Sequence, residues 1–186
     1  MTSDTTGFLQ TLLSPGPAAD RADKMSLYAF LVGDWRFDAV VQLQSGATHR
    51  GEGEIHAVWA LDGRAVQDVW ILPDVFYGTT LRVFDPALDA WHILWSDPLK
   101  QYYTRQLGRP RGDDIVQEGR TDNGMPVRWS FIEPSEQSFR WLGEYSLDGG
   151  TSWSVQADFQ AHRTRWHVLD PDGYRLEAYC VLGAAY

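Results

Sequence analysis

The chain has 186 residues and a mass of 21.1 kDa, which is short for two full domains, so one domain plus a tail is the economical arrangement. Its formal charge of −9, from 16 Lys and Arg against 25 Asp and Glu, comes without any basic run and excludes a surface built to displace counterions from nucleic acid. The single cysteine, Cys180, excludes an intramolecular disulfide and any multi-cysteine zinc site.

Residues 1–19 are rich in Ser, Thr, Pro and Gly and read as a mobile N-terminal arm. They lack the cationic start and long apolar core of a signal peptide, and no apolar run in the chain approaches the ~18 residues that span a membrane. A cytoplasmic location is expected. From Asp20 to Leu31, the spacing of Met25, Leu27, Tyr28, Phe30 and Leu31 predicts one amphipathic helix, stopped by Gly33.

Helical periodicity then ends. Ten short runs follow at 34–44, 50–61, 64–72, 78–84, 91–96, 101–108, 113–120, 125–132, 138–146 and 151–163, separated by turn pairs such as Asp62-Gly63 and Asn123-Gly124. This meander spacing predicts a mainly β protein, an up-and-down antiparallel barrel of about ten strands over residues 20–163. The 25 aromatic residues suit such an interior. Alternation groups Val127, Trp129 and Phe131 on one face, Phe139, Trp141 and Tyr145 on another, and Trp153, Val155, Ala157, Phe159 and Ala161 on a third.

Two signatures sit on this frame. Gly33-Asp34-Trp35, after a short helix, resembles the opening motif of the lipocalin and fatty-acid-binding (calycin) barrels. That resemblance implies that Trp35 plugs one barrel end and that Arg163, closing Phe159-Gln160-Ala161-His162-Arg163, packs over it. With Leu61-Asp62-Gly63-Arg64 and Trp91, Trp95 and Asp97, residues 25–163 resemble a bacterial lipocalin-like family of unknown function. Ser146-Leu147-Asp148-Gly149-Gly150-Thr151-Ser152-Trp153 resembles a single Asp-box. In it Asp148 caps turn amides, the glycines permit positive φ, and Trp153 packs beneath.

The C-terminal extension, 164–186, contains His167 to Cys180 around Asp170-Pro171-Asp172-Gly173. It resembles the last strands of glyoxalase and extradiol-dioxygenase (vicinal oxygen chelate) proteins, in which Glu177 would match a metal ligand. The further ligands and crossover helices of that superfamily have no counterpart upstream, so a β-hairpin about Pro171-Asp172-Gly173 is expected instead, with no metal. Docking of that hairpin on a second copy would give a homodimer. The five histidines show no metal-ligand spacing, no nucleophile elbow or phosphate-cradling loop is present, and no cofactor is expected.

The barrel lumen is therefore the candidate site, with Trp35, Phe37, Trp59, Trp70, Trp95, Trp129, Trp141 and Phe159 as ligand-facing residues. The third strand can face either way. If Val66, Asp68, Trp70 and Leu72 point inward, rather than Ala65, Gln67, Val69 and Ile71, then Asp68 is a buried carboxylate fit for acid–base work. Tyr103 and Glu144 are the other catalytic candidates. Binding of a small apolar or aromatic molecule in the lumen leads. An isomerase, cyclase or hydratase using a buried carboxylate and an oligomeric interaction module with a filled barrel are the alternatives.

Overall fold

The computed structural model describes residues 5–43, 45–164, 167–169 and 175–177, the last two segments by backbone only. Ten strands form the barrel: β1 (Gly33–Gln42), β2 (Thr48–Ala60), β3 (Ala65–Leu72), β4 (Phe76–Asp85), β5 (Ala90–Asp97), β6 (Tyr102–Arg111), β7 (Asp114–Arg120), β8 (Pro126–Ile132), β9 (Ser138–Tyr145) and β10 (Ser154–Arg163). Each pairs antiparallel with its sequence neighbours, and β1 closes on β10, so the sheet is a closed barrel. Every predicted run corresponds to one strand. Among the described residues no helix is long and apolar enough to cross a membrane.

The predicted helix over 20–31 is broken into three pieces. A 3-10 turn (Ala19–Arg21) leads into α2 (Ala22–Met25), and a 3-10 helix follows at Ser26–Leu31. The reason lies in the side chains that are buried, Met25, Tyr28 and Leu31. They recur every third residue, and only a 3-10 period stacks such a series on one face. That face caps one end of the barrel. The N-terminal arm also differs from expectation. It carries α1 (Thr5–Leu12) and is bonded to the β2–β3 corner, where Ser14 N donates to Trp59 O and Leu61 N to Leu12 O, both at 2.9 Å.

Trp35 and Arg163 fix the capped end. The Trp35 indole is fully buried and donates from Nε1 to Leu31 O at 2.8 Å. The Arg163 guanidinium carbon lies 4.3 Å from the Trp35 ring centroid. Its Nη1 and Nη2 donate to Val32 O and Phe30 O at 2.9 and 2.6 Å. One cation thus shields the plug tryptophan and satisfies two carbonyls that the 3-10 helix leaves open.

One register shift moves a predicted face. β10 carries a bulge between Val155 and Ala157. An extra residue reverses the facing of everything on one side of it. Ala157, Phe159 and Ala161 face the core as expected, whereas Trp153 stands on the outer wall under Arg128, whose guanidinium carbon is 4.1 Å from its ring centroid.

In the C-terminal extension, β11 (His167–Leu169) pairs antiparallel with β12 (Arg175–Glu177), the strands of the expected hairpin. Its turn residues, and the side chains of Glu177 and Cys180 named in the sequence reading, lie outside the described residues.

Candidate functional site

The interior is mainly aromatic, with a few small and polar residues set among the rings. β1, β8, β9 and β10, joined by Trp70 of β3, carry rings: Phe37 stacks on Phe159 at 4.9 Å, Trp129 on Trp141 at 5.2 Å, and Trp70 lies 5.6 Å from Trp141. β4, β6 and β7 add small or polar residues to the same space, namely Gly78, Thr80 and Arg82, then Gln106 and Gly108, then Gln117, beside the inward Phe76 and Phe84 of β4, Trp91, Ile93 and Trp95 of β5 and Ile115 of β7. The capped end is closed by Met25, Tyr28, Leu31 and Trp35, all fully buried. At the other end, bounded by the turns at 73–75, 98–101 and 121–125, Phe76, Trp95 and Trp129 are only partly buried and Tyr102 is 40% exposed. This end is the mouth.

Glycine makes room for the rings. In register, Phe37 faces Gly53, Trp70 faces Gly78, Trp91 faces Gly108, and Trp129 faces Gly143. A Cβ on Gly143 would stand 2.5 Å from the Trp129 ring, and one on Gly53 would collide with both the Phe37 ring and Ile71 O. The aromatic rings therefore lie flat against bare backbone, which a side chain there would forbid.

The third strand is settled by burial: Val66, Asp68, Trp70 and Leu72 face inward. Asp68 is buried, as one expectation had it, but it is not an isolated carboxylate. Its Oδ2 is paired with Arg82 Nη1, and its Oδ1 accepts from Thr80 N at 3.1 Å. Both side chains are at most 1% exposed. An acid–base role needs a carboxylate free to exchange a proton with substrate, and here both oxygens are engaged. Burial of two charges is costly unless they pair and find further hydrogen bonds, which is what this arrangement supplies.

The other catalytic candidates stand outside the lumen. Tyr103 is 50% exposed and shares the outer face of β6 with Arg105, because Gln106 and Gly108 take the inward positions. Glu144 accepts from Arg128 Nε at 2.7 Å on the outer wall, on the opposite face of β9 from Trp141 and Gly143. Neither can reach a molecule in the lumen. Of the ligand-facing set, Phe37, Trp70, Trp141 and Phe159 are deep in the lumen, and Trp95 and Trp129 edge the mouth. Trp59 packs toward the capped end, and Trp35 is the plug itself.

Around Arg82 the interior is polar. Its guanidinium carbon lies 5.5 Å from the Tyr28 ring centroid and 5.8 Å from that of Phe131. The Tyr28 phenol, fully buried, points at Gly108. Burial raises its pKa, against the pull of the Arg82 charge and of the neighbouring Gln117 amide, so it is a neutral hydroxyl at any ordinary pH. Arg82 Nε, Gln117 Nε2, Tyr28 Oη and Trp70 Nε1 are all buried, and none has a hydrogen-bond partner among the described residues. Arg82 and Gln117 were not foreseen. The signal was available, since the hairpin turning at Asp74 pairs Asp68 with Thr80 and puts Arg82 on the same face.

The Asp-box forms as a local device. Asp148 Oδ1 accepts from Ser146 Oγ, Thr151 N and Ser152 N at 2.8, 3.0 and 2.8 Å, and Oδ2 accepts from Ser152 Oγ at 2.6 Å. These donors hold its carboxyl well below the usual carboxylate range, the Ser152 hydroxyl first. A depressed folded-state pKa contributes stability above the unfolded value of about 3.9 and loses it as pH falls through the folded one. Thermal melts of the native chain should therefore decline below about pH 4. Asp148→Asn should melt lower at neutral pH and flatten that part of the profile. An unchanged profile would show that the turn is held otherwise.

Outside the barrel, an open groove of about 590 Å³ runs between residues 14–20 and the β2–β3 turn. Its polar groups are already engaged, Ser14 Oγ with Gly63 N and Arg64 with Asp20. Among the described residues, no group of three or more His, Cys, Asp or Glu side chains could hold a metal ion.

Fold and interior together define a closed ten-stranded antiparallel barrel, capped at one end and with a largely aromatic interior. The crystal structure of Rv2717c from M. tuberculosis is similar, with a TM-score of 0.53 and 13% sequence identity over 82% of this chain and 99% of that one. At that identity the likeness is one of fold. No protein-family model and no curated protein matches the chain.

Proposed function

We propose that the chain is a lipocalin-like binding protein that takes a small, flat, apolar or aromatic molecule into its lumen through the mouth edged by Phe76, Trp95 and Trp129. The observation that carries this reading is the aromatic mouth. Phe76, Trp95 and Trp129 stand there only partly buried, and the rings continue inward from Trp129 to Trp141 and Phe159. The plug made by Trp35 and Arg163, with the Gly33-Asp34-Trp35 motif, supports the lipocalin comparison. The driving force would be desolvation, about 2.5 kcal/mol for each 100 Å² of apolar surface removed from water.

Titration with naphthalene, followed by intrinsic tryptophan emission, tests it. Saturable quenching is expected, and Trp129→Leu should weaken binding about tenfold, a loss of ~1.4 kcal/mol, by removing one face of the stack. Tyr103→Phe, on the outer wall, should leave it unchanged. An emission spectrum and a melting temperature that never respond to the ligand would overturn the proposal.

A further inference from the structure

Deep in the lumen, three hydrogen-bonding groups meet around one buried ion pair. Arg82 and Gln117 are each 1% exposed and Tyr28 is fully buried, yet Arg82 Nε, Gln117 Nε2 and Tyr28 Oη have no partner among the described residues. They belong together. The Arg82 guanidinium lies beside the Tyr28 ring, and the Gln117 amide is near enough to the phenol to work against the effect of burial on it. Leaving a buried donor unpaired costs on the order of 1–3 kcal/mol, so such a cluster calls for an acceptor.

Charge decides what kind of acceptor. Arg82 is already neutralised by Asp68, whose second oxygen takes the Thr80 amide. An anion brought to Arg82 would set a second negative charge beside Asp68 in a space poor in water, and a cation would face Arg82 itself. An uncharged acceptor oxygen satisfies Arg82 Nε and Gln117 Nε2 and adds no charge.

We infer that the lumen ligand is a neutral aromatic molecule carrying a hydrogen-bond acceptor such as a carbonyl oxygen, received by Arg82 Nε and Gln117 Nε2, and that aromatic carboxylates are rejected. This rests on the lumen-binding proposal above and sharpens it to a ligand class.

Three probes with one ring system test it on the full chain at neutral pH: naphthalene, 2-acetylnaphthalene and 2-naphthoate. Calorimetry should rank acetylnaphthalene about tenfold tighter than naphthalene, in line with one buried hydrogen bond worth ~1.4 kcal/mol, and naphthoate weakest. Gln117→Leu should abolish the preference, so that the variant binds acetylnaphthalene and naphthalene alike. The carbonyl stretch of acetylnaphthalene should move to lower frequency on binding the native protein, which reads the hydrogen bond without any variant. Equal affinities, a preference for naphthoate, or an unshifted carbonyl stretch would overturn the inference while naphthalene binding still upheld the lumen. If none of the three probes binds, the lumen proposal itself fails and takes this inference with it.

Discussion

Arg82→Met should destabilise the barrel by about 3–5 kcal/mol, the loss expected when one partner of a buried ion pair is removed. The substitution leaves the Asp68 carboxylate in the interior with only the Thr80 amide for company. Asp68→Leu should cost a comparable amount, because the guanidinium is then stranded between the Tyr28 and Phe131 rings. The double variant should recover most of the loss, since an apolar pair of similar volume removes both charges together. Urea unfolding of the four proteins gives the coupling directly. Losses that simply add would mean that the two groups do not hold each other in the interior. A typical domain has only about 5–15 kcal/mol in all, so either single variant should show visibly reduced yield.

The second large effect is expected at the glycines. Gly53→Ala places a methyl group where the Phe37 ring and Ile71 O already stand, and the backbone oxygen cannot step aside. Overpacking of this kind costs about 1–3 kcal/mol. Gly143→Ala should behave alike, with Trp129 displaced instead of Phe37. Phe37→Leu introduced with Gly53→Ala should give back part of the loss by shortening the side chain that collides. Gly112 and Gly124 would be unsuitable controls because both have positive φ, whereas Gly7→Ala meets nothing within 4 Å and should be silent. Thermal melts of the four variants decide the matter. Equal melting temperatures for Gly53→Ala and Gly7→Ala would show that Phe37 does not occupy the space over Gly53.

Much of the barrel was legible because its code is local. Each strand ends at a turn pair, and in most strands polar and apolar residues alternate, so ten strands and their meander could be read in order. β3 resisted for a physical reason. Both of its faces are apolar, and alternation says nothing where neither face is left to water. Trp153 was placed on the wrong face since a bulge is one extra residue, invisible to a period of two. The helical cap was misjudged in its pitch, although Met25, Tyr28 and Leu31 at intervals of three carried the information.

The site was less legible than the fold. Rings could be assigned to the interior, but the glycine, threonine and glutamine residues set among them on β4, β6 and β7 look like turn and surface material in a one-dimensional reading. The pairing of some inward rings with a glycine on the neighbouring strand is a sequence-level signal, and register makes it visible at Phe37–Gly53, Trp91–Gly108 and Trp129–Gly143. Tyr103 and Glu144 were drawn inward by chemistry alone. Their neighbours Gln106 and Trp141 hold the inward positions.

The seam between β1 and β10 sets a condition on how the chain is made. Trp35 pairs with Arg163 across nearly the whole length of the barrel sequence. Until β10 emerges from the ribosome, β1 and β9 are open sheet edges whose unpaired amides and carbonyls can recruit other chains. Contacts so distant in sequence form late, because the loop entropy must be lost before they repay it. A chain stopped before Ser154 would lack both the closing strand and the cation that stitches Phe30 and Val32 to it. Such a truncated product should enter inclusion bodies rather than accumulate as a shortened barrel, and nascent chains of that length are natural clients for a chaperone that shields strand edges.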